Sequence, residues 1–240
     1  MADEPHEQRL ARWAKSGRAG TEPIPAATVV LIRDGRDALE VLMLRRNSKI
    51  AFGGMWVFPG GRVDPGDRDP AHPYDDLAAA RCAAVREAQE EAGLEIASDA
   101  LLPLSHWTPP AITPRRYLTW FFLAPAPASE VVIDGGEIHE HMWMSTARAF
   151  ARRDAGEIEI APPTWVTLHT LSAWQSVAET LDTVRDLVPE RFETHIAIED
   201  AGPTALWHGD AGWSTSDASA VGPRHRLRMH SSGWSYERTA

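Results

Sequence analysis

Apolar and polar positions alternate in blocks along this chain. Two apolar runs come first, AATVVLI (26–32) and ALEVLML (38–44), separated by the turn-forming RDGRD. β-Branched runs around such a turn predict a hairpin. GGMWVFPGGRVDPGD (53–67) is rich in turn formers, with Pro59, Gly60 and Gly61 breaking the chain after a short apolar stretch. A helix is expected from about Asp75 to Ala92, with Ala78, Val85, Ala88 and Ala92 as its apolar stripe. RRYLTWFFLAP (115–125) predicts the next strand, HMWMS (141–145) a shorter one, and STARAFARRDAG (145–156) a small helix. APPTWVTLHTLSAWQSVAETLDTVRDLV (161–188) predicts one long helix. It carries Trp165, Leu168, Leu171, Trp174 and Val177 at helical spacing, with Pro162 and Pro163 at its start. Beyond Pro189 the pattern turns to strands and turns: THIAIED, TALWHGD and RHRLRMHSSGWSYER.

Strands mixed with two major helices point to an α/β sandwich. Residues 1–25 read as a loose lead-in, 26–188 as the main domain, and 189–240 as a strand-rich extension. Trp207, Trp213 and Trp234 indicate that this extension packs on the domain or on a partner subunit.

Composition narrows the picture. Of 240 residues, 43% are hydrophobic, enough to fill a real core. Lys and Arg total 24 against 34 Asp and Glu, for a formal charge of −10. That balance argues against nucleic-acid or anionic-membrane partners. The acidic opening MADEPHEQ lacks the apolar core of a signal peptide, and AATVVLI is too short to span a bilayer. The single cysteine, Cys82, has no internal disulfide partner and is expected as a small buried filler in the helix. A cytoplasmic, soluble protein is the expectation.

The candidate chemistry lies on the helix at 75–92. Glu87, Glu90 and Glu91 stand zero, three and four residues along it and share one face. A solvated acidic face is the ordinary reading of such a cluster. Here, however, a Gly-Gly turn precedes it and offers backbone oxygens. Hard oxygen donors of this kind suit Mg²⁺ or Mn²⁺.

These residues resemble a Nudix box, whose pattern is G-x5-E-x7-R-E-U-x-E-E-x-G-U, with U a bulky apolar residue. Arg86, Glu87, Ala88, Glu90, Glu91, Gly93 and Leu94 fill its second half, and Gly61 begins the first. Asp67 stands where the pattern has Glu. Eighteen residues (68–85) separate it from Arg86, eleven more than the seven of the pattern. The resemblance implies a Nudix-type α/β/α sandwich with a mixed sheet, and a hydrolase of nucleoside diphosphate derivatives. It implies that Glu87, Glu90 and Glu91, with the Gly60 carbonyl, bind Mg²⁺ or Mn²⁺ while Arg86 orients the carboxylates. It further implies a general base at Glu87 or on a later loop, where GGEIHEHMW offers Glu137 and Glu140. A homodimer would also be in keeping with the family.

Several stretches, among them GMWVFPGGRVDPGD and APPTWVTLHTL, resemble the branch containing the mammalian peroxisomal coenzyme A diphosphatase. Coenzyme A or its acyl esters lead as expected substrates, with NADH or ADP-ribose next. Against a coenzyme A signature of other Nudix enzymes, Arg45 fits whereas Met43, Arg46 and Ile50 depart. Arg45, Arg46, Arg115 and Arg116 are candidates for phosphate contacts, since guanidinium groups make forked bonds to phosphate. Trp56, Phe58 and Tyr117 are candidates for stacking on a base, although aromatic strand residues are more often core. His139 and His141 flank Glu140 but lack a third soft ligand at suitable spacing. The rivals are a non-hydrolytic Nudix-fold sensor and a Nudix-fold isomerase. Intact glutamates and the lack of a helix-turn-helix pattern disfavour the sensor. Cys82, placed within the helix, disfavours the isomerase.

Overall fold

A computed structural model of the protein describes residues 5–17, 20–47 and 54–239. A helix, α1 (His6–Ser16), precedes β1 (Ile24–Asp34), β2 (Leu39–Arg46) and the short β3 (Trp56–Val57) and β4 (Gly60–Arg62). Next come α2 (Asp76–Ala92), β5 (Leu102–Thr108), β6 (Tyr117–Pro125) and β7 (Ile138–Ser145). Three helices follow: α3 (Thr146–Asp154), α4 (Pro162–Leu171) and α5 (Val177–Arg185). Then come β8 (Glu190–Glu193), β9 (His195–Glu199), β10 (Gly202–Leu206), β11 (His225–His230) and β12 (Gly233–Arg238).

The main sheet is mixed and runs β3-β2-β1-β6-β5-β8, with β4 also on β1 and β7 also on β2. β1 and β6 run parallel from Ile24↔Tyr117 to Ile32↔Pro125. One face of the sheet is covered by α2, whose Ala80, Ala83, Ala84 and Ala88 share a core with Ala27, Val29 and Leu31 of β1. Such small side chains allow the helix to lie close to the sheet. On the other face, Leu10 of α1, Val166 and Leu168 of α4, Val184 of α5 and Trp207 join a second core. The smaller sheet, antiparallel in the order β12-β11-β10-β9, packs there too. The fold is the expected α/β/α sandwich with a strand-rich C-terminal extension.

Aromatic rings weld the two sheets together. Trp107 of β5 stacks on Phe192 of β8 with centroids 3.8 Å apart, and Trp207 meets both rings edge-on. Each such pair is worth roughly 0.5–1.5 kcal/mol beyond its area burial.

The structure corrects five local readings. The lead-in holds α1, where His6, Leu10 and Trp13 recur at helical spacing and Gly17 closes the helix at φ 63°. The expected long helix at 161–188 is two helices. Ser176 starts the second by accepting from the Glu179 amide, and Glu179 reaches back to the Gln175 amide. β5 was hidden by Pro103, which sits where its register with β6 slips. On α2 the buried residues are Ala79, Ala80, Ala83, Ala84, Ala88, Glu91 and Ala92, so Ala88 and Ala92 are in the core as expected while Ala78 and Val85 are only half-buried. Cys82 is exposed rather than buried, because it faces away from those residues.

Candidate active site

Close backbone approach sets up the site. Gly60 and Gly61 of β4 pair with Thr28 and Ala27 of β1, and Thr28 Oγ1 donates to the Pro59 carbonyl at 2.6 Å. A Cβ on Gly60 would collide with the Ala27 carbonyl and Thr28, and one on Gly61 with the Glu87 carboxylate. Glycine is therefore required at Gly60 for β4 to lie against β1, whereas a side chain at Gly61 would displace the Glu87 carboxylate.

From α2, Glu91 reaches this strand and accepts the Gly60 amide at 2.9 Å. Among the described residues its Oε1 has no hydrogen-bond partner, and Arg46 Nη2 stands 3.6 Å from it. Burial pushes the Glu91 carboxyl up to about 7, against the pull of Arg46 and the Gly60 amide. Burial likewise raises Glu87, partly opposed by Arg86.

Arg86 is the hub of the cluster. It donates to Glu87 at 2.8 Å, Glu90 at 3.0 Å, the Arg62 carbonyl at 2.9 Å, and both carboxylate oxygens of Asp67. Asp67 lies in a 3-10 turn (Pro65–Asp67) and also accepts the Asp64 amide at 2.8 Å. Burial pushes its carboxyl up, but the bonds from Arg86 and Asp64 outweigh that and hold it below its ordinary value. The bonds to Asp67, ahead of those to Glu87, raise the Arg86 guanidinium still further. Asp67 and Arg86 are therefore in contact despite the eleven extra residues between them.

Beside Glu91, Glu137 takes a 2.7 Å bond from the same Arg46 Nη2. Asp134 fixes its loop by accepting the amides of Gly136, Glu137 and Ile138 at 2.8–3.2 Å. These groups line one end of a cavity of about 1060 Å³. Among the described residues, no three metal-ligating side chains already converge on one point. In this arrangement Arg86 and Arg46 supply the counter-charge to the carboxylates.

A NUDIX domain profile matches residues 22–163, more than half of the chain. The chain belongs to the Nudix family. It is accordingly a hydrolase acting on pyrophosphate bonds. Nudix hydrolases as a group depend on divalent metal ions. A Nudix hydrolase from Alicyclobacillus acidocaldarius is similar at 26% identity and a TM-score of 0.61, covering 68% of this chain and 97% of that one. An Ap4A hydrolase from C. elegans shares 25% identity over 62% of this chain and 96% of its own, with a TM-score of 0.42. The Nudix domain of Shewanella oneidensis NrtR, solved with ADP ribose, shares 15% over 71% and 98%, with a TM-score of 0.47. No curated protein matches the chain.

The remaining candidates of this Nudix protein divide between two places. Arg46, Phe58, Arg115 and Tyr117 line the same cavity as the glutamates. Arg45, Trp56 and Glu140 do not. Arg45 pairs with Glu140 at 3.4 Å, and both Arg45 and Trp56 line a separate groove. Successive strand residues point to opposite faces, and the pairing of β2 with β7 shifts between Arg45 and Arg46. Trp56 is buried at 2% exposure. Arg116 donates to the Pro109 carbonyl at 3.1 Å and lies off the cavity lining. His139 and His141 are exposed. Ile50 lies outside the described residues.

Sequence reasoning missed three parts of the cavity wall: α1, the start of α4 and the C-terminal sheet. His6, Arg9, Leu10 and Trp13 come from α1, Pro162 to Thr164 from α4, and Thr194, Ile196 and Ala205 from the extension. Only the Leu10–Trp13 spacing before Gly17 signalled α1. The placement of β9 and β10 over the site has no local signature.

Proposed function

We propose that this Nudix hydrolase uses Mg²⁺ or Mn²⁺ to split the diphosphate of a nucleoside diphosphate linked to a second group. Coenzyme A or an acyl ester of it is favoured, and NADH or ADP-ribose comes next. The observation that carries the reading is a single cavity joining Glu87, Glu90 and Glu91 to the phosphate-binding candidates Arg46 and Arg115 and to an aromatic wall.

The residues suit a hard divalent cation. Glu91 offers a buried carboxylate oxygen that has no hydrogen-bond partner among the described residues, and Glu87 and Glu90 add anionic oxygens on the same helix face. Glu87, Glu90, Glu91 and the Gly60 carbonyl would hold the ion. A bound cation neutralises charge on the diphosphate and lowers the pKa of water. Arg86 keeps the carboxylates in register through its bonds to Asp67, Glu87 and Glu90. Arg46 and Arg115 bind phosphate oxygens. Glu137, held at the cavity by its Asp134-capped loop, removes a proton from the attacking water, with Glu87 and Glu140 as the alternatives.

The test is incubation with Mg²⁺ or Mn²⁺ and coenzyme A, dephospho-coenzyme A, NADH or ADP-ribose, with products read by mass spectrometry. A phosphopantetheine product and adenosine 3′,5′-bisphosphate are expected from coenzyme A. The ribose 3′-phosphate offers charge-assisted bonds worth roughly 1.5–3 kcal/mol each, so dephospho-coenzyme A should lose about tenfold or more in kcat/KM. Equal rates on those two, or faster cleavage of ADP-ribose or NADH, would reject the coenzyme A assignment.

A further inference from the structure

The cavity is asymmetric. At one end stand carboxylates and guanidinium groups. The lining also includes Leu10 and Trp13 of α1, Trp107 and Phe121 of the main sheet, and Ile196 and Ala205 of the small sheet, which belong to or pack against the core on the sheet face opposite α2, with Thr164 and Thr194 as uncharged polar neighbours. The charged or titratable groups of α1 that line the cavity are His6 and Arg9. Burial holds His6 neutral, pushing its pKa down to about 3, and Arg9 pairs with Glu159 at 2.9 Å. An ionic group against these residues would find little compensation for its lost hydration, whereas an apolar one would gain by leaving water. Two segments outside the matched residues 22–163 thus complete the wall.

We propose that α1 and the C-terminal sheet together form the specificity wall of this enzyme, binding an uncharged, largely aliphatic chain carried on the substrate's diphosphate. The inference rests on the proposed placement of the diphosphate at the carboxylate end. It goes further in assigning the chemistry of the distal group and the segments that select it. Trp13 and Ile196 are half-buried residues whose side chains line the cavity from opposite segments. Both also pack against the core on that face of the main sheet, so thermal unfolding of each variant is compared with wild type before its binding is read.

Two measurements separate this inference from the hydrolase reading. The first needs neither metal nor nucleotide: calorimetric titration with S-octanoyl-pantetheine, a neutral apolar chain. Binding by the full chain is expected, weakened at least tenfold in Trp13→Ala and in Ile196→Ser. Failure of the wild type to bind it overturns the inference even if diphosphates are cleaved. The second compares octanoyl-coenzyme A with ADP-ribose. The ratio of their kcat/KM values should fall at least tenfold in both variants, through KM rather than kcat. A fall shared equally by the two substrates overturns the wall's selective role. Binding of the neutral chain with no diphosphate cleaved would sustain the wall and refute the proposed substrate class.

Discussion

Arg86 holds Asp67 across nineteen positions of sequence through two parallel hydrogen bonds, Nε to Oδ1 at 3.1 Å and Nη2 to Oδ2 at 2.9 Å. The same guanidinium touches Glu87 and Glu90, so the loop before α2 and the acidic face of α2 share one anchor. Asp67→Ala removes a charged, paired acceptor and leaves Arg86 tied to the glutamates and the Arg62 carbonyl. We expect a stability loss of roughly 1.5–3 kcal/mol in denaturant titration, and a fall in turnover. A variant with wild-type stability and rate would show the anchor to be dispensable.

The elements most legible in the sequence were those set by local rules. Asp75 accepts the Ala78 amide and Gly93 ends α2 at φ 67°, as its spacing predicts. The β1–β2 hairpin follows from its apolar runs. What failed depended on distant partners or on rules overlooked. Whether Arg45 or Arg46 faces the cavity depends on the register of β2 against β7, fixed from ninety residues away. Ser176-Val177-Ala178-Glu179 was a readable helix start that the continuous apolar spacing masked.

Glu91 is expected to trade stability for function. Its carboxyl is raised from 4.5 to about 7, chiefly by burial. A raised folded-state value means stability that is full below the unfolded value and lost as pH rises towards 7. Without metal, Glu91→Gln should therefore be more stable than wild type at pH 8, by about 1–3 kcal/mol, and no more stable at pH 4. With metal the same variant should lose at least ~10² in turnover, because an amide cannot replace an anionic ligand. Normal rates at saturating metal would remove Glu91 from the metal site.

Glu137 and Glu140 are separated by their surroundings. Glu137 lines the cavity with Arg46, while Glu140 pairs with Arg45 outside it. Glu137→Gln should lower kcat by about 10²-fold or more with little change in Mg²⁺ affinity. Glu140→Gln should stay within about threefold of wild type, in line with an exposed ion pair. The opposite ranking would return the base to Glu140.

His6 supplies a pH response in α1. Burial, aided by the nearby Arg9 charge, drops its pKa from 6.5 to about 3. A depressed histidine stabilises the docked helix above the unfolded value and loses that contribution as pH falls from 6.5 towards 3. Between pH 6.5 and 5.0, amide protection in α1, corrected for intrinsic exchange, should fall by about fifteenfold, the slope approaching one decade per unit at the lower end. His6→Gln should flatten this slope. An unchanged slope in that variant would place the titrating group elsewhere.

Asp210 and Arg226 form the fixed point of the C-terminal sheet. Both side chains are fully buried, and two bonds of 2.7 Å join them. Asp210 also accepts the amides of Gly212 and His225, and Arg226 donates to the Ala218 carbonyl. The pair thus ties β11 to the long connection before it. Replacing one partner strands a buried charge, which typically costs about 3–5 kcal/mol. Arg226→Met keeps the length and apolar stem of arginine but leaves Asp210 unneutralised, so it should lose stability in that range. Asp210→Asn keeps one acceptor oxygen, so it loses one of the two backbone amides as well as stranding Arg226, and should lose at least as much. In the double variant each replacement removes the charge that the other left unpaired, so its loss should be smaller than the sum of the two. Because β11 supports β10, and β10 carries Ala205 of the cavity wall, each single variant should also raise KM before unfolding begins. Strict additivity in denaturant titration would show that the two charges do not act as a pair.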